Sequence, residues 1–224
     1  MRGRTFLISK LTMGLTMGLA LAGCQTAPNI LPPIPPSAAD TPPSEGAGTW
    51  RATATEQDRL RIRNWHSSWQ AALADARAKG FGAEIDREGV LLQPAAALPN
   101  PHLPPGDYRC RTVKVGTQGR GTLGYIAYGW FRCRVSPEQG ISSLVKLSGS
   151  QRPMGLIFPD NLKRQVFLGT LELGDETMPV NYGSDRMRDM AGLVERIGDN
   201  RWRLALPQPA YESLLDVIEL VPAS

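Results

Sequence analysis

Apolar side chains in the segment before residue 80 recur mostly at intervals of three or four positions, which predicts an amphipathic helix. The repeating positions are Ile62, Trp65, Trp69, Ala72, Leu73 and Ala76. Thr53-x-x-Glu56 and Thr55-x-x-Asp58 resemble helix-start boxes, and Gly80 is placed to end the helix in a left-handed turn. The two tryptophans suit a ligand-stacking pair, but their spacing coincides with the apolar face and favours core positions. A shorter helical piece is expected at 83–92.

After Gly106 the pattern changes to short β-type runs separated by Gly, Pro, Asp or Asn. Period-two alternation is clearest at Trp202, Leu204 and Leu206, with Arg201 and Arg203 facing away. Strands are predicted near 108–115, 123–135, 143–147, 155–158, 165–173, 178–182, 193–197, 201–206 and 214–221. The expected fold is mainly β (α+β): an antiparallel β-barrel or sandwich-like meander preceded by an N-terminal amphipathic helix.

The first residues have the pattern of a bacterial targeting signal. Residues 1–10 are basic, and residues 11–20 form an apolar run that is too short to span a membrane. Leu21-Ala22-Gly23-Cys24 resembles the lipobox of bacterial lipoproteins, in which the cysteine thiol receives a diacylglycerol. The alternative is an ordinary signal peptide with an incidental cysteine. We therefore expect a signal peptide at 1–23 and lipid attachment at Cys24.

The segment that follows Cys24 has the composition of a spacer. Seven of the 19 prolines lie between Thr26 and Gly48, a stretch without Lys or Arg. Proline fixes φ and removes amide donors, so residues 24–48 are predicted to form an extended tether. A Pro-x-x-Pro recognition ligand is the weaker interpretation. Gln25 favours the outer membrane, periplasmic face, because an aspartate there would suggest inner-membrane retention. A helical segment at 49–105 and a β-domain at 106–224 complete the predicted organisation.

The net charge changes once the signal is set aside. The formal charge is +4, but three of the 25 basic residues, Arg2, Arg4 and Lys10, lie in the predicted signal peptide, which contains no acid. The remaining 22 basic and 21 acidic residues leave the chain near +1. The basic balance therefore gives no support to nucleic-acid binding.

Two cysteines remain after Cys24, and in an oxidising periplasm they are expected to pair. They stand in identical settings, Arg109-Cys110-Arg111 and Arg132-Cys133-Arg134, on neighbouring predicted strands. Alternation would point Cys110 and Cys133 inward and the four arginines outward. Such an arginine face suits an anion such as lipid phosphate or a polymer carboxylate. The other explanation is salt bridging to cross-strand acids, or solvation.

Motifs for catalysis, metals or cofactors are missing from the sequence. With only His66 and His102, a multi-histidine zinc site is excluded, and neither histidine stands in a nucleophile motif. We predict no catalytic residue, no metal ligand and no cofactor. Two polar turns instead suit partner binding: 146–153 with Ser148 and Arg152, and 182–189 with Asp185 and Arg186. Simple solvated loops are the alternative for each.

Several short segments together carry a family resemblance. They are Gly106-Asp107-Tyr108-Arg109-Cys110-Arg111, Ser148-Gly149-Ser150-Gln151-Arg152-Pro153, Phe167-Leu168-Gly169-Thr170, Leu173-Gly174-Asp175-Glu176, Tyr182-Gly183, Glu195-Arg196-Ile197-Gly198 and Leu215-Asp216-Val217-Ile218-Glu219-Leu220-Val221-Pro222. They resemble the uncharacterised bacterial family called domain of unknown function 4893, over about residues 49–224. The resemblance implies secreted or lipid-anchored proteins and no assigned activity.

Tyr108-Arg109-Cys110 and Ser148-Gly149 are also similar to positions of the membrane-anchored inhibitors of C-type lysozyme. The aromatic residue that follows the Ser-Gly loop in that family is replaced here by Gln151, Arg152 and Pro153.

Two functions from different classes are expected on these grounds. The first is a non-enzymatic, lipid-anchored envelope protein that serves as a binding or inhibitor module for a periplasmic protein, glycan or lipid. The second is an envelope hydrolase that uses carboxylates near Gly174-Asp189, namely Asp175, Glu176, Asp185 and Asp189. The hydrolase requires two of these acids to share one cleft.

Overall fold

The computed structural model describes residues 49–119, 121, 124–174, 176 and 178–223. The predictions of a signal peptide at 1–23, lipid attachment at Cys24 and a tether at 24–48 lie outside the described residues.

Four short helices precede the strands where the sequence predicted one long helix and one short piece. They are α1 (Trp50–Thr53), α2 (Glu56–Arg63), α3 (Trp65–Ala78) and α4 (Gly82–Glu88), followed by 3-10 turns at Gly89–Leu91 and Pro94–Ala96. Thr55 begins α2, because its hydroxyl accepts the Asp58 amide at 3.2 Å. Gly80 follows α3 with φ of +93°, as its position predicts. Thr53, the other candidate start, ends α1 instead.

The predicted helix is interrupted at Asn64, which ends α2 and begins α3. The two helices pack against different parts of the sheet: Ile62 of α2 lies with Val166 and Leu193, and Trp69 of α3 lies with Val113 and Val217. One straight helix cannot follow a curved surface to both places. The break was not predictable from the apolar spacing, which continues through it.

Nine strands form one antiparallel sheet, in which the first strand lies between the second and the third and each later strand pairs with the next in sequence. They are β1 (Gly106–Val115), β2 (Tyr125–Ala127), β3 (Phe131–Glu138), β4 (Ile141–Lys146), β5 (Gln151–Asn161), β6 (Arg164–Leu173), β7 (Asp189–Gly198), β8 (Arg201–Pro207) and β9 (Leu215–Pro222). β9 pairs with β1 from Tyr108↔Pro222 to Val115↔Leu215. This pairing closes β1 and β3 to β9 into an eight-stranded barrel, which decides between the barrel and the sandwich in favour of the barrel.

Two predicted strands differ from the structure. The strand expected at 123–135 is divided into β2 and β3, which pair with the two halves of β1 on either side of an exposed break at 128–130. The strand expected at 178–182 is wrong, because this segment lies in the connection between β6 and β7. The segment instead leads into a turn in which the Ser184 amide donates to the Asn181 carbonyl, so it does not run along a neighbouring strand.

Alternate side chains of the strands fill the barrel. Trp202, Leu204 and Leu206 point inward as predicted. The buried interior also contains Leu103, Tyr108, Cys110, Cys133, Val135, Leu144, Ile157, Phe167, Leu171, Met190, Val194, Ile218 and Leu220. Cys110 and Cys133 form the predicted disulfide inside the barrel, between β1 and β3.

Arg203 faces away from the barrel interior as predicted, but it is completely buried there, because the helices cover this part of the outer surface. Its guanidinium pairs with Glu195 at 2.6 Å and donates to the carbonyls of Leu91 and Gln93. It also lies 4.5 Å from the centre of the Trp69 ring. Arg203 is therefore one of the polar contacts that attach the helical segment to the barrel wall, beside the apolar packing of Ile62 and Trp69.

The two ends of the barrel differ. Tight turns at 139–140, 162–163 and 199–200 connect the strands at one end, and the chain that enters β1 crosses it. There Leu103 is buried in the interior, with its amide bonded to Gln165, and Trp202 donates to the His102 carbonyl. The connections at the opposite end are longer, at 116–124, 147–150, 174–188 and 208–214. One end of the barrel, the closed end, is therefore covered by the chain that enters β1, and the other, the open end, has the longer connections.

Replacing both bridged cysteines, Cys110→Ala with Cys133→Ala, should lower the free energy of unfolding by roughly 3 kcal/mol, because the bridge closes a loop of 23 residues in the unfolded chain. Urea unfolding without reductant measures the loss, and reductant should affect only the wild type. Mass spectrometry that found both thiols free in the wild type would contradict the bridge.

Candidate functional site

A cavity of about 210 Å³ lies inside the open end of the barrel. Its walls are the ends of all eight barrel strands, β1 and β3 to β9, and its rim includes Met187 and the 209–212 segment. The apolar side chains of its lining include Phe131, Leu171, Met190, Leu206 and Ile218. The charged residues of its lining are Lys114, Lys146, Asp189, Glu212 and Asp216.

Lys114 of β1 is neutralised within the cavity. Its ammonium contacts Asp216 of β9 at 3.1 Å and the rim residue Glu212 at 3.2 Å. Asp216 also accepts the Ser213 hydroxyl. Burial lowers the pKa of Lys114, but the two carboxylates outweigh burial and raise it above its ordinary value. The positive charge of Lys114 is therefore already balanced by acidic side chains of the protein.

Lys146, the last residue of β4, has a different environment. It is 6% exposed, and its ammonium donates to the Gln151 carbonyl at 2.8 Å and lies 4.0 Å from the centre of the Phe131 ring. Burial, with Lys114 and Arg152 nearby, lowers its pKa to about 8. At neutral pH the group is still mostly an ammonium, bonded to neutral partners.

The other buried cations emphasise this difference. Arg61 pairs with Asp58, Lys114 with Asp216 and Arg203 with Glu195. Across the part of the chain that the structure describes, Lys146 is the buried cation without a carboxylate within ion-pair distance. A buried charge is costly unless it is paired. Lys146 is therefore the buried cation of the described residues whose charge has no acidic partner.

The four arginines that flank the cysteines lie on the outer surface, and two of them have acidic partners. Arg111 pairs with Glu88 and Glu219, and Arg134 pairs with Asp107. Arg109 and Arg132 are exposed. Arg109 and Arg111 also lie over the ring of the half-exposed Trp130. None of the four lines the cavity.

The turn at 147–150 covers Lys146, and both of its candidate residues serve the turn itself. The Ser148 hydroxyl accepts the Arg132 amide at 3.1 Å. Arg152 pairs with Glu172 at 2.9 Å and donates to the carbonyls of Gly149 and Leu173. These contacts hold the turn against the end of β6 beside the cavity.

The candidate residues of the second polar segment, 182–189, do not meet at one site. The Asp185 carboxylate accepts the Met187 amide within its own turn, and Arg186 is exposed in an open groove beside α2. Glu176 pairs with Arg188 at 2.6 Å, and this hydrogen bond lowers the pKa of Glu176 to about 2. Among the acids proposed for hydrolysis, Asp189 is the described one that lines the cavity.

The Asp189 carboxylate belongs to the outer face of β7. Met190 and Val194 point into the barrel, and Ala191 and Leu193 pack under the helices, so alternation places Asp189 outside. It accepts the Gly183 amide at 2.7 Å, and burial raises its pKa.

Sequence reasoning missed the central residues of this site. Lys114 and Lys146 were not among the candidates, although each belongs to a strand in which alternate residues point inward. Leu144 and Lys146 share the inner face of β4, and that period-two relation was available from the sequence. The absence of a carboxylate opposite Lys146 was not available, because it depends on which strands meet.

The fold and the cavity define the class: an eight-stranded antiparallel β-barrel with a cavity of about 210 Å³ at one end. Comparison with family models assigns it more narrowly. The model described as domain of unknown function (DUF4893) matches residues 50–220, and the chain belongs to that family. Comparisons with curated proteins and with solved structures gave no match.

Two further observations concern metal sites and membrane-spanning helices. Within the described ranges, no group of three or more His, Cys, Asp or Glu side chains is arranged to hold a metal ion. No described helix has the length and apolar character needed to cross a membrane.

Lys146→Met should stabilise the ligand-free chain at neutral pH by roughly 1–3 kcal/mol, because it removes a buried charge without an acidic partner. Between pH 8 and 10.5 the folded wild type holds fewer protons at Lys146 than the unfolded chain. Wild-type stability therefore rises with pH across this window, and the gain from the substitution shrinks. Urea unfolding at several pH values measures both effects.

The matched control is Lys163→Met, in an exposed turn at the closed end. It should change stability little at any of these pH values. A destabilised Lys146→Met variant would show that the ammonium is already compensated.

Proposed function

We propose that this protein is a lipid-anchored outer-membrane protein on the periplasmic face, and that its barrel is a non-enzymatic module that binds an envelope ligand at the open end. The targeting signal, the lipobox-like Leu21-Ala22-Gly23-Cys24 and the proline-rich segment after it support the anchor. Membership in a family of unknown function supports neither a binding function nor an enzymatic activity.

The observation that carries the binding function is the asymmetry of the barrel. An eight-stranded barrel is just wide enough for its own side chains to fill it, or to hold one small ligand. Here side chains fill the closed end, and a cavity remains at the open end among longer connections. Its volume of about 210 Å³ is below the usual range for drug-sized ligands, about 300–1,000 Å³. It suits a small molecule, or one end of a larger glycan, lipid or protein.

The hydrolase remains the alternative, and the arrangement of the acids supports it less. Glycoside hydrolysis needs two carboxylates on either side of one bond, and one of them must be protonated. Glu176 is held ionised by Arg188, and Asp185 is engaged in its turn. The Asp189 side chain lies on the outer face of its strand.

The binding function predicts that a ligand copurifies with the chain and that blocking the cavity removes it. Ala210→Trp places a large ring in the rim, and Ala52→Trp does the same on an exposed position of α1. Native mass spectrometry of the full chain, isolated from envelopes, should show added mass for the wild type and Ala52→Trp and none for Ala210→Trp. Equal added mass in all three proteins would refute binding at the open end.

The anchor predicts that Cys24→Ala leaves the chain unlipidated, because the thiol is the atom that receives the lipid. Fractionation should then move the protein from the membrane to the soluble fraction, or leave it as the uncleaved precursor. A variant that is still processed and membrane-bound would rule out lipid attachment at Cys24.

A further inference from the structure

We propose that the ligand of the cavity is a compact amphiphilic monocarboxylate, with its carboxylate on the Lys146 ammonium and its apolar body against the inner wall of the barrel. The proposal rests on the proposed binding function and adds the chemical class of the ligand.

Charge is the first argument. Every other buried cation in the described part of the chain contacts an acidic side chain, whereas Lys146 contacts a carbonyl and an aromatic ring. A carboxylate that enters the cavity would supply the missing opposite charge at Lys146, and a charge-assisted hydrogen bond to a buried ammonium is strong. A ligand cation at the same place would be repelled by the Lys146 ammonium.

The number of charges is the second argument. Lys114 is already matched by Asp216 and Glu212, and Arg152 pairs with Glu172 on the outer side of β5. Lys146 is therefore the described cation of the lining that lacks an acidic partner, and one carboxylate is enough to pair with it, whereas the acids already in the lining disfavour an anion of higher charge. A carboxylate carries one negative charge, whereas a phosphate monoester carries up to about two.

The wall of the cavity supplies the third argument. Leu171 of β6, Met190 of β7, Leu206 of β8 and Ile218 of β9 belong both to the apolar interior and to the cavity lining. Burial of apolar ligand surface against them is favourable. A dry apolar cavity of about 150 Å³ binds benzene, so this somewhat larger cavity fits a short alkyl chain or a single ring.

The charged groups around Lys146 determine how binding depends on pH. They are Lys114 of β1, Arg152 of β5, Glu172 of β6, Asp189 of β7, Asp216 of β9, and Glu212 in the connection that precedes β9. The carboxylate should bind only while Lys146 is an ammonium. Affinity is therefore constant up to about pH 8 and falls above it by about tenfold per pH unit.

Three probes with the same alkyl chain test this ligand class: octanoate, octanol and octylamine. Their binding to the full chain, stripped of copurified ligand, is measured by calorimetry at pH 7 and pH 9. Lys146→Met is compared with Lys163→Met, whose lysine is exposed at the closed end. Unfolding curves of both variants establish that they are folded.

The wild type and Lys163→Met should bind octanoate more tightly than octanol, and octylamine most weakly. Lys146→Met should weaken octanoate binding by about tenfold or more and leave octanol nearly unchanged. Equal binding of the three probes, no binding of octanoate, or an unchanged octanoate affinity in Lys146→Met would overturn the ligand class. The proposed binding function fails separately, if Ala210→Trp retains the copurified ligand.

Discussion

Pairing of the first strand of the barrel with the last is the constraint on which the other features depend. Eight residue pairs join β1 to β9, between parts of the chain about a hundred residues apart. This closure separates an inner from an outer face on every strand. The inner face then has a fixed volume, which the side chains fill at one end and leave open at the other. The disulfide, the buried arginine and the cavity all take their positions from that division.

Much of the sheet was predictable, because each strand contains its own alternation and its own turn. Eight of the nine predicted strands overlap an observed strand, and the inward positions of Trp202, Leu204 and Leu206 are as expected. What local patterns could not supply was closure, because a barrel and a sandwich have the same alternation. The break at Asn64 was equally invisible, because its cause is the curvature of a surface built from later strands.

The residues of the candidate site were harder to predict from the sequence than the strands were, for the same reason. Arginine clusters and glycine turns are conspicuous in the sequence, yet Arg111, Arg134 and Arg152 have acidic partners that come from other elements. Lys146 is inconspicuous, a single lysine at the end of a short strand. What distinguishes it is that the partner strands bring acids to Lys114 and bring none of the described acids to Lys146. The lack of an acidic partner at Lys146 is therefore visible only in the assembled barrel.

Closure between distant strands also has a consequence for folding. Every other strand pair of the barrel joins consecutive barrel strands and can form early, whereas β1 and β9 meet only after all the strands between them have been made. Until then both have open edges, and the apolar run of β9, Leu215–Pro222, is the kind of segment that joins other chains. Asp216 and Glu219 interrupt that run with charge. The acids that pair with Lys114 and Arg111 in the folded barrel therefore stand where gatekeeper residues stand in strands that must not join other chains.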